Sequence, residues 1–127
     1  MSNKLADNIS IDIEPKYIEE QSDPDKNKYV FSYDVTIRNK SAVGVQLLAR
    51  HWHITDANER VKEVLGEGVV GKQPHLDPEG EFTYTSWAIL ETPTGHMHGT
   101  YHLVDEGGER FETDIPAFTL STPNTLH

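Results

Sequence analysis

The sequence predicts an all-β protein in which about seven antiparallel strands stack as a two-layer sandwich. Three observations carry that prediction. Apolar residues recur with period two through most of the chain, the spacing that sends alternate side chains to opposite faces of a strand. Clusters of Gly, Pro, Asn, Asp and Ser break these runs at short intervals and supply what tight turns require. The composition is that of a single folded domain with a real core: 127 residues, 35% hydrophobic and 25% charged.

The elements follow in order. "ISIDIEPKYIEE" alternates through Ile9, Ile11 and Ile13. "YVFSYDVTIRN" sets Tyr29, Phe31, Tyr33, Val35 and Ile37 on one face and Ser32, Asp34, Thr36 and Arg38 on the other. "VQLLARHWHITD" aligns Leu48, Trp52 and Ile54, with Arg50 sharing their parity. "NERVKEVLG" is the one segment with a helical rival, a turn through Val61, Val64 and Leu65 that Gly66 would stop. "EFTYTSWAILE", "MHGTYHLVDE" and "RFETDIPAFTL" read as further strands. Pro116 cannot donate to a ladder, so the last of these belongs at an edge or carries a bulge. "SDPDKN", "NKSAVG", "TDANE", "DPEG", "TPTG" and "EGG" are the turns, with Gly107-Gly108 expected as a two-residue hairpin loop.

"LDPEGEFTY" places Tyr84 at the start of a strand, where a tyrosine corner would tie its hydroxyl to nearby backbone. Trp52 is the expected central aromatic. Together they point to an immunoglobulin-like or fibronectin type III-like antiparallel β-sandwich, one domain spanning residues 1–127.

Charge narrows the function. The net charge is −10, from 21 acidic and 11 basic residues with no basic cluster. Such a surface repels nucleic-acid phosphates and anionic lipid, so neither nucleic acid nor membrane is expected as a partner. No apolar run is long enough to cross a bilayer, and "MSNKLADN" lacks the apolar core of a secretory signal. With no cysteine, disulfides and thiolate chemistry are excluded and a cytoplasmic location fits.

"GEGVVGKQ" poses a sharper question. Gly66, Gly68 and Gly71 satisfy the dinucleotide pattern G-x-G-x-x-G, and Gly66, Gly71 and Lys72 nearly complete a P-loop. The context opposes both. A dinucleotide fingerprint ends a strand and opens a helix whose amides receive the pyrophosphate, whereas Pro74 and Pro78 follow here. Gln73 stands where the P-loop needs a hydroxyl for magnesium. The glycines are expected to permit a bulge or a tight crossing between sheets. An anion nest built from their amides with Lys72, binding pyrophosphate or a nucleotide polyphosphate, is the alternative.

Seven histidines raise a metal hypothesis. His51 and His53 in "HWH" share a face opposite Trp52, and His96 and His98 in "HMH" share another, continued by His102. If the two strands are neighbours these imidazoles converge, and imidazole suits zinc, copper, nickel and cobalt. The plainer reading is a solvated face of polar strand residues. Catalysis has less support: Ser86 in "YTSW" lacks a nucleophile elbow, and the carboxylates fall in turns and strand rims. No catalytic residue and no cofactor are expected.

The blocks "GEGVVGKQPHLDPEGEFTYTS", "LETPTGHMHGTYHLV" and "FETDIPAFTL" closely resemble the ApaG family, and the likeness runs from about Ile9 to Leu120. The resemblance implies a single fibronectin type III-like sandwich and no established catalytic residues. It implies a small stand-alone bacterial protein, named from its gene's place beside a diadenosine tetraphosphate hydrolase and linked genetically to cobalt resistance and magnesium efflux. A similar domain in eukaryotic F-box proteins and in polymerase delta-interacting protein 2 implies a protein-interaction module. The glycine pattern at Gly66, Gly68 and Gly71 is the family's own. The expected function is thus a non-catalytic binding module for an unidentified protein. Contacts are expected from the loop 66–80 and the hairpin 92–99, and self-association through edge strands is open to it.

Overall fold

In the computed structural model, which describes residues 5–123, the alternating runs form eight strands. These are β1 (Ile9–Tyr17), β2 (Tyr29–Asn39), β3 (Val45–Asp56), β4 (Val61–Glu67), β5 (His75–Leu76), β6 (Glu81–Leu90), β7 (Thr94–Asp105) and β8 (Arg110–Ser121). One sheet has the order β1-β2-β6; the other runs β4-β3-β7-β8, with the two-residue β5 also paired to β3. Every pairing is antiparallel. Three strands facing four, in this order, is the fibronectin type III-like arrangement of the sandwich. Among the described residues no helix is long and apolar enough to cross a membrane.

The core lies where the period-two pattern puts it. Phe31, Tyr33, Val35 and Ile37 of β2 point between the sheets and are buried. Trp52 of β3, 2% exposed, meets them from the other layer. Its ring centroid lies 5.5 Å from Tyr33, 5.9 Å from Phe118 and 6.3 Å from Tyr101, all near edge-to-face. Such pairs add about 0.5–1.5 kcal/mol each beyond the area they bury.

Three local expectations change, and one open between strand and helical turn resolves as a strand. On β3 the buried residue is Leu47, not Leu48, because the β3–β7 register shifts between Leu47 and Ala49. The extra residue of that bulge swaps the faces, so Val45 and Leu47 point inward before it and Trp52 after it. "NERVKEVLG" is strand β4, paired to β3 from Val61 to Glu67; a free edge of β3 outweighs one turn of helical spacing. Gly107-Gly108 is not a two-residue loop. Only Gly108 has positive φ, at 85°, and its amide returns to the Asp105 carbonyl at 3.1 Å. The amides of Gly107 and Glu109 donate to the Asp105 carboxylate, which makes a three-residue hairpin loop with a glycine bulge. The expectation for Pro116 holds on both counts: β8 is an edge strand, and its register with β7 shifts there.

The third change is at Tyr84. Its hydroxyl does not tie to backbone as a tyrosine corner would; it hydrogen-bonds the Tyr101 hydroxyl across the two sheets. Burial raises the pKa of both phenols, and for Tyr101 the neighbouring Tyr84 adds to the rise. Burial also raises Tyr33, against smaller opposing effects from the Ser86 hydrogen bond and from Arg50. Unfolded tyrosine titrates at about pH 10. A folded-state value above that means stability is intact below about pH 10 and falls as pH rises further, because the unfolded chain loses its protons first. Thermal melts are therefore expected to hold steady up to about pH 9.5 and then fall steeply. Tyr84→Phe/Tyr101→Phe should move the onset of that fall to higher pH.

Candidate functional site

The glycine loop leads from β4 into a tight turn before β5. Gly66 faces Arg50 across the β3–β4 ladder. The guanidinium lies over it, donating to the carbonyls of Glu67 at 3.2 Å and Gly68 at 2.8 Å. A Cβ on residue 66 would sit 2.7 Å from Arg50 Nη1. Gly68 has φ +64°, and a Cβ there would overlap the Lys72 carbonyl oxygen. Val69 and Lys72 exchange two backbone hydrogen bonds, 2.8 and 2.9 Å. Between them Val70 (φ 44°) and Gly71 (φ 79°) are both left-handed, as the two-residue turns that match sheet twist demand. A β-branched residue in that region is strained by about 1–3 kcal/mol. No helix follows; the chain runs on to β5. The Gly68 amide donates to the Leu48 carbonyl at 2.7 Å, so the amides of Gly68, Val69 and Lys72 all serve internal carbonyls. Lys72 is exposed.

The histidines do converge. β3 and β7 are neighbours, and His53 stands directly opposite His98. Ring centroids are 4.5 Å apart for His51 and His53, 4.8 Å for His53 and His98, and 6.5 Å for His96 and His98. The result is a ladder of four imidazoles on the outer face of the larger sheet. His102 lies apart from it, 3.2 Å from Glu112 of β8.

Glu63 of β4 completes the cluster. Its carboxylate is 3.5 Å from His53 Nδ1 and 3.7 Å from His51 Nε2, and the three groups offer ligand atoms all within 4.8 Å of one another. The sequence could not single out Glu63. Its place beside His53 depends on the β3–β4 register, in a segment whose spacing also allowed a helical turn.

The sheet edges form a third feature. β1 lies along β8 on one side of the sandwich. On the other, Arg60 and Glu91 form a 3.3 Å ion pair, and Val61, Lys62, Ile89 and Leu90 line a shared depression between β4 and β6. Trp87 and Ile89, on the outer face of β6, are 56% and 57% exposed. The loops expected to make contacts are anchored to the body of the sandwich at several points. Leu47 bonds the Pro74 carbonyl, Gly80 the Asn39 amide, and Thr92 Oγ1 accepts from Ala57.

A three-against-four sandwich whose chemistry lies on sheet faces and edges defines a small fibronectin type III-like domain. Comparison with known proteins places it further. The family described as the ApaG domain matches residues 19–105. Protein ApaG of Shewanella pealeana is 50% identical over 125 residues, covering 98% of this chain and 99% of that protein. Protein ApaG of Escherichia coli O1:K1 is 52% identical over 119 residues, covering 94% and 95%. The crystal structure of a Bordetella pertussis protein described as ApaA superposes with a TM-score of 0.89 at 50% identity, covering 92% of this chain and 95% of that one. The chain belongs to the ApaG family.

Proposed function

We propose that the protein is a non-catalytic module that binds another protein by adding an extended segment to the free edge of β6. One observation carries this reading. Of the edge strands longer than the two-residue β5, β1 carries Asp12, Glu14, Pro15 and Lys16; β4 carries Lys62, Glu63 and Glu67; β8 carries Arg110, Glu112, Asp114 and Pro116. Charge, proline and bulges are how folded proteins blunt an edge against pairing. β6 has none after Glu81, and its register with β2 is unbroken from Tyr29 to Arg38.

The side chains on that edge suit recognition. Trp87 and Ile89 share an open apolar patch with Val30, flanked by Gln21 and Lys28. Tryptophan is enriched among residues that dominate binding energy. An incoming strand would draw affinity from main-chain hydrogen bonds and specificity from contacts with alternate side chains. The net charge of −10 favours a partner whose strand has basic flanks.

The test is affinity capture from lysate of the source organism with wild type and Trp87→Ser/Ile89→Ser. Loss of a hot-spot residue costs at least about 2 kcal/mol, so capture of the partner should fall by roughly 30-fold. The melting temperature should move by only a few degrees, because both residues are exposed. Equal capture by the two proteins would refute the reading. A retrieved partner consisting of the same chain would assign the edge to self-association.

A further inference from the structure

We propose that His51, His53 and Glu63 form a binding site for a divalent transition metal of the zinc class, with an open coordination position facing solvent. The inference is independent of the β6 edge, which belongs to the other sheet.

Three observations converge on it. The first is distance. Zinc bonds of about 2.0–2.2 Å to nitrogen and oxygen place tetrahedral ligand atoms about 3.3 Å apart. The Glu63 carboxylate stands 3.5 and 3.7 Å from the two imidazole nitrogens, too long for good hydrogen bonds and close to two edges of such a tetrahedron, and all three atoms lie within 4.8 Å, so side-chain rotation alone closes the third edge. The second is an orphan. His51 Nε2 is shielded from solvent and has no hydrogen-bond partner, alone in this respect among the described residues. Buried polar atoms in native structures are almost always satisfied, and one cause of an exception is an ion or water that belongs there.

The third is the rigidity and composition of the set. His51 and His53 lie on a strand held on both sides by β4 and β7, and His98 stacks on His53 with its ring 11° from parallel. The backbone carrying both imidazoles is thus held by the sheet, and the His53 ring is packed against a neighbour. Two imidazoles and one carboxylate are borderline donors that select zinc, nickel or copper over magnesium and calcium, which prefer all-oxygen shells. Three protein ligands leave a fourth position for water or for a donor from another molecule. Glu63 is the outermost of the three, with 57% of its side chain exposed, so that position opens outward between Val61 and Leu65, themselves 60% and 70% exposed.

Calorimetric titration of the full chain with Zn2+ tests the site, with nitrogen-detected NMR of the histidine rings as a second readout. One zinc per chain is expected. The ring nitrogens of His51 and His53 should shift while those of His75 do not, and Mg2+ should give no response. His51→Ala, His53→Ala and the near-isosteric Glu63→Gln should each weaken binding by at least about tenfold, since loss of even an outer partner of a ligand has that effect. His98→Ala, which removes no ligand atom but frees the His53 ring, should weaken binding by less than any of these three. Variant folding is checked by the thermal melt without metal. No heat with Zn2+, or zinc binding that Glu63→Gln and the histidine variants leave unchanged, overturns the proposal.

Discussion

Trp52→Ala is expected to be the most damaging single substitution, lowering stability by about 4 kcal/mol. The indole is buried to 2% exposure and joins the layers through Tyr33 of one sheet and Tyr101 and Phe118 of its own. Removing it costs the transfer energy of a large apolar group and leaves a void between sheets whose backbones are pinned by ladders and cannot close in. Against a typical domain stability of about 5–15 kcal/mol the variant would be marginal. The expected fall in melting temperature is roughly 10–20 °C for a chain of this size. Urea unfolding should show a lower midpoint with an unchanged slope, since the same surface is still exposed on unfolding. Trp52→Phe keeps most of the filling and should lose less than half as much.

Asn39→Ala follows, at about 3 kcal/mol or more. Asn39 is fully buried at the end of β2, and its side chain holds three segments together. Nδ2 donates to the carbonyls of Val43, Leu76 and Asp77. Oδ1 accepts from the amide and the hydroxyl of Ser41. Its backbone pairs with Gly80 and Glu79. Alanine would leave several buried groups without partners, each worth about 1–3 kcal/mol. Asn39→Asp is the sharper test. It preserves shape but turns a donor facing three carbonyls into an acceptor, so it should be at least as damaging as alanine. Because a buried aspartate also carries the cost of burying its charge, Asn39→Leu is the control: it keeps the volume and removes only the hydrogen bonds, and it would be nearly neutral if Asn39 only filled space. Hydrogen exchange should quicken at residues 76–80 in the alanine and aspartate variants.

Much of this was legible in the sequence, and the limits have physical causes. A buried sheet face imposes alternation, so β2, β6, β7 and β8 and the inward set around Tyr33 and Val35 could be read directly. Trp52 followed from the same rule. Leu48 was misplaced because one bulge residue inverts parity without leaving a local signature. The partner of Tyr84 is hidden in the sequence because "LDPEGEFTY" has the flanking residues of a tyrosine corner, while Tyr101 comes from the opposite sheet and only the fold brings it near. Asn39 looked like turn punctuation in "NKSAVG"; its burial depends on β5 crossing over it. At the candidate sites the histidine parity was visible and the neighbouring of β3 and β7 was the missing fact. Glu63 and the unblunted β6 edge could emerge only from strand order.

The glycine loop illustrates the same division. Proline placement after Gly71 correctly opposed a helix, and the turn that replaced it uses positive φ at Val70 and Gly71. The reason for Gly66 is Arg50, sixteen residues upstream in a paired strand, and sequence spacing does not show it.

Recognition is proposed to run through the edge of β6 and not through the glycine loop. Amide hydrogen exchange of the protein, free and saturated with the partner retrieved by capture, tests it most directly. Protection is expected over residues 83–90, with rates at 66–73 unchanged. Protection centred on residues 66–73 with none on β6 would contradict the account.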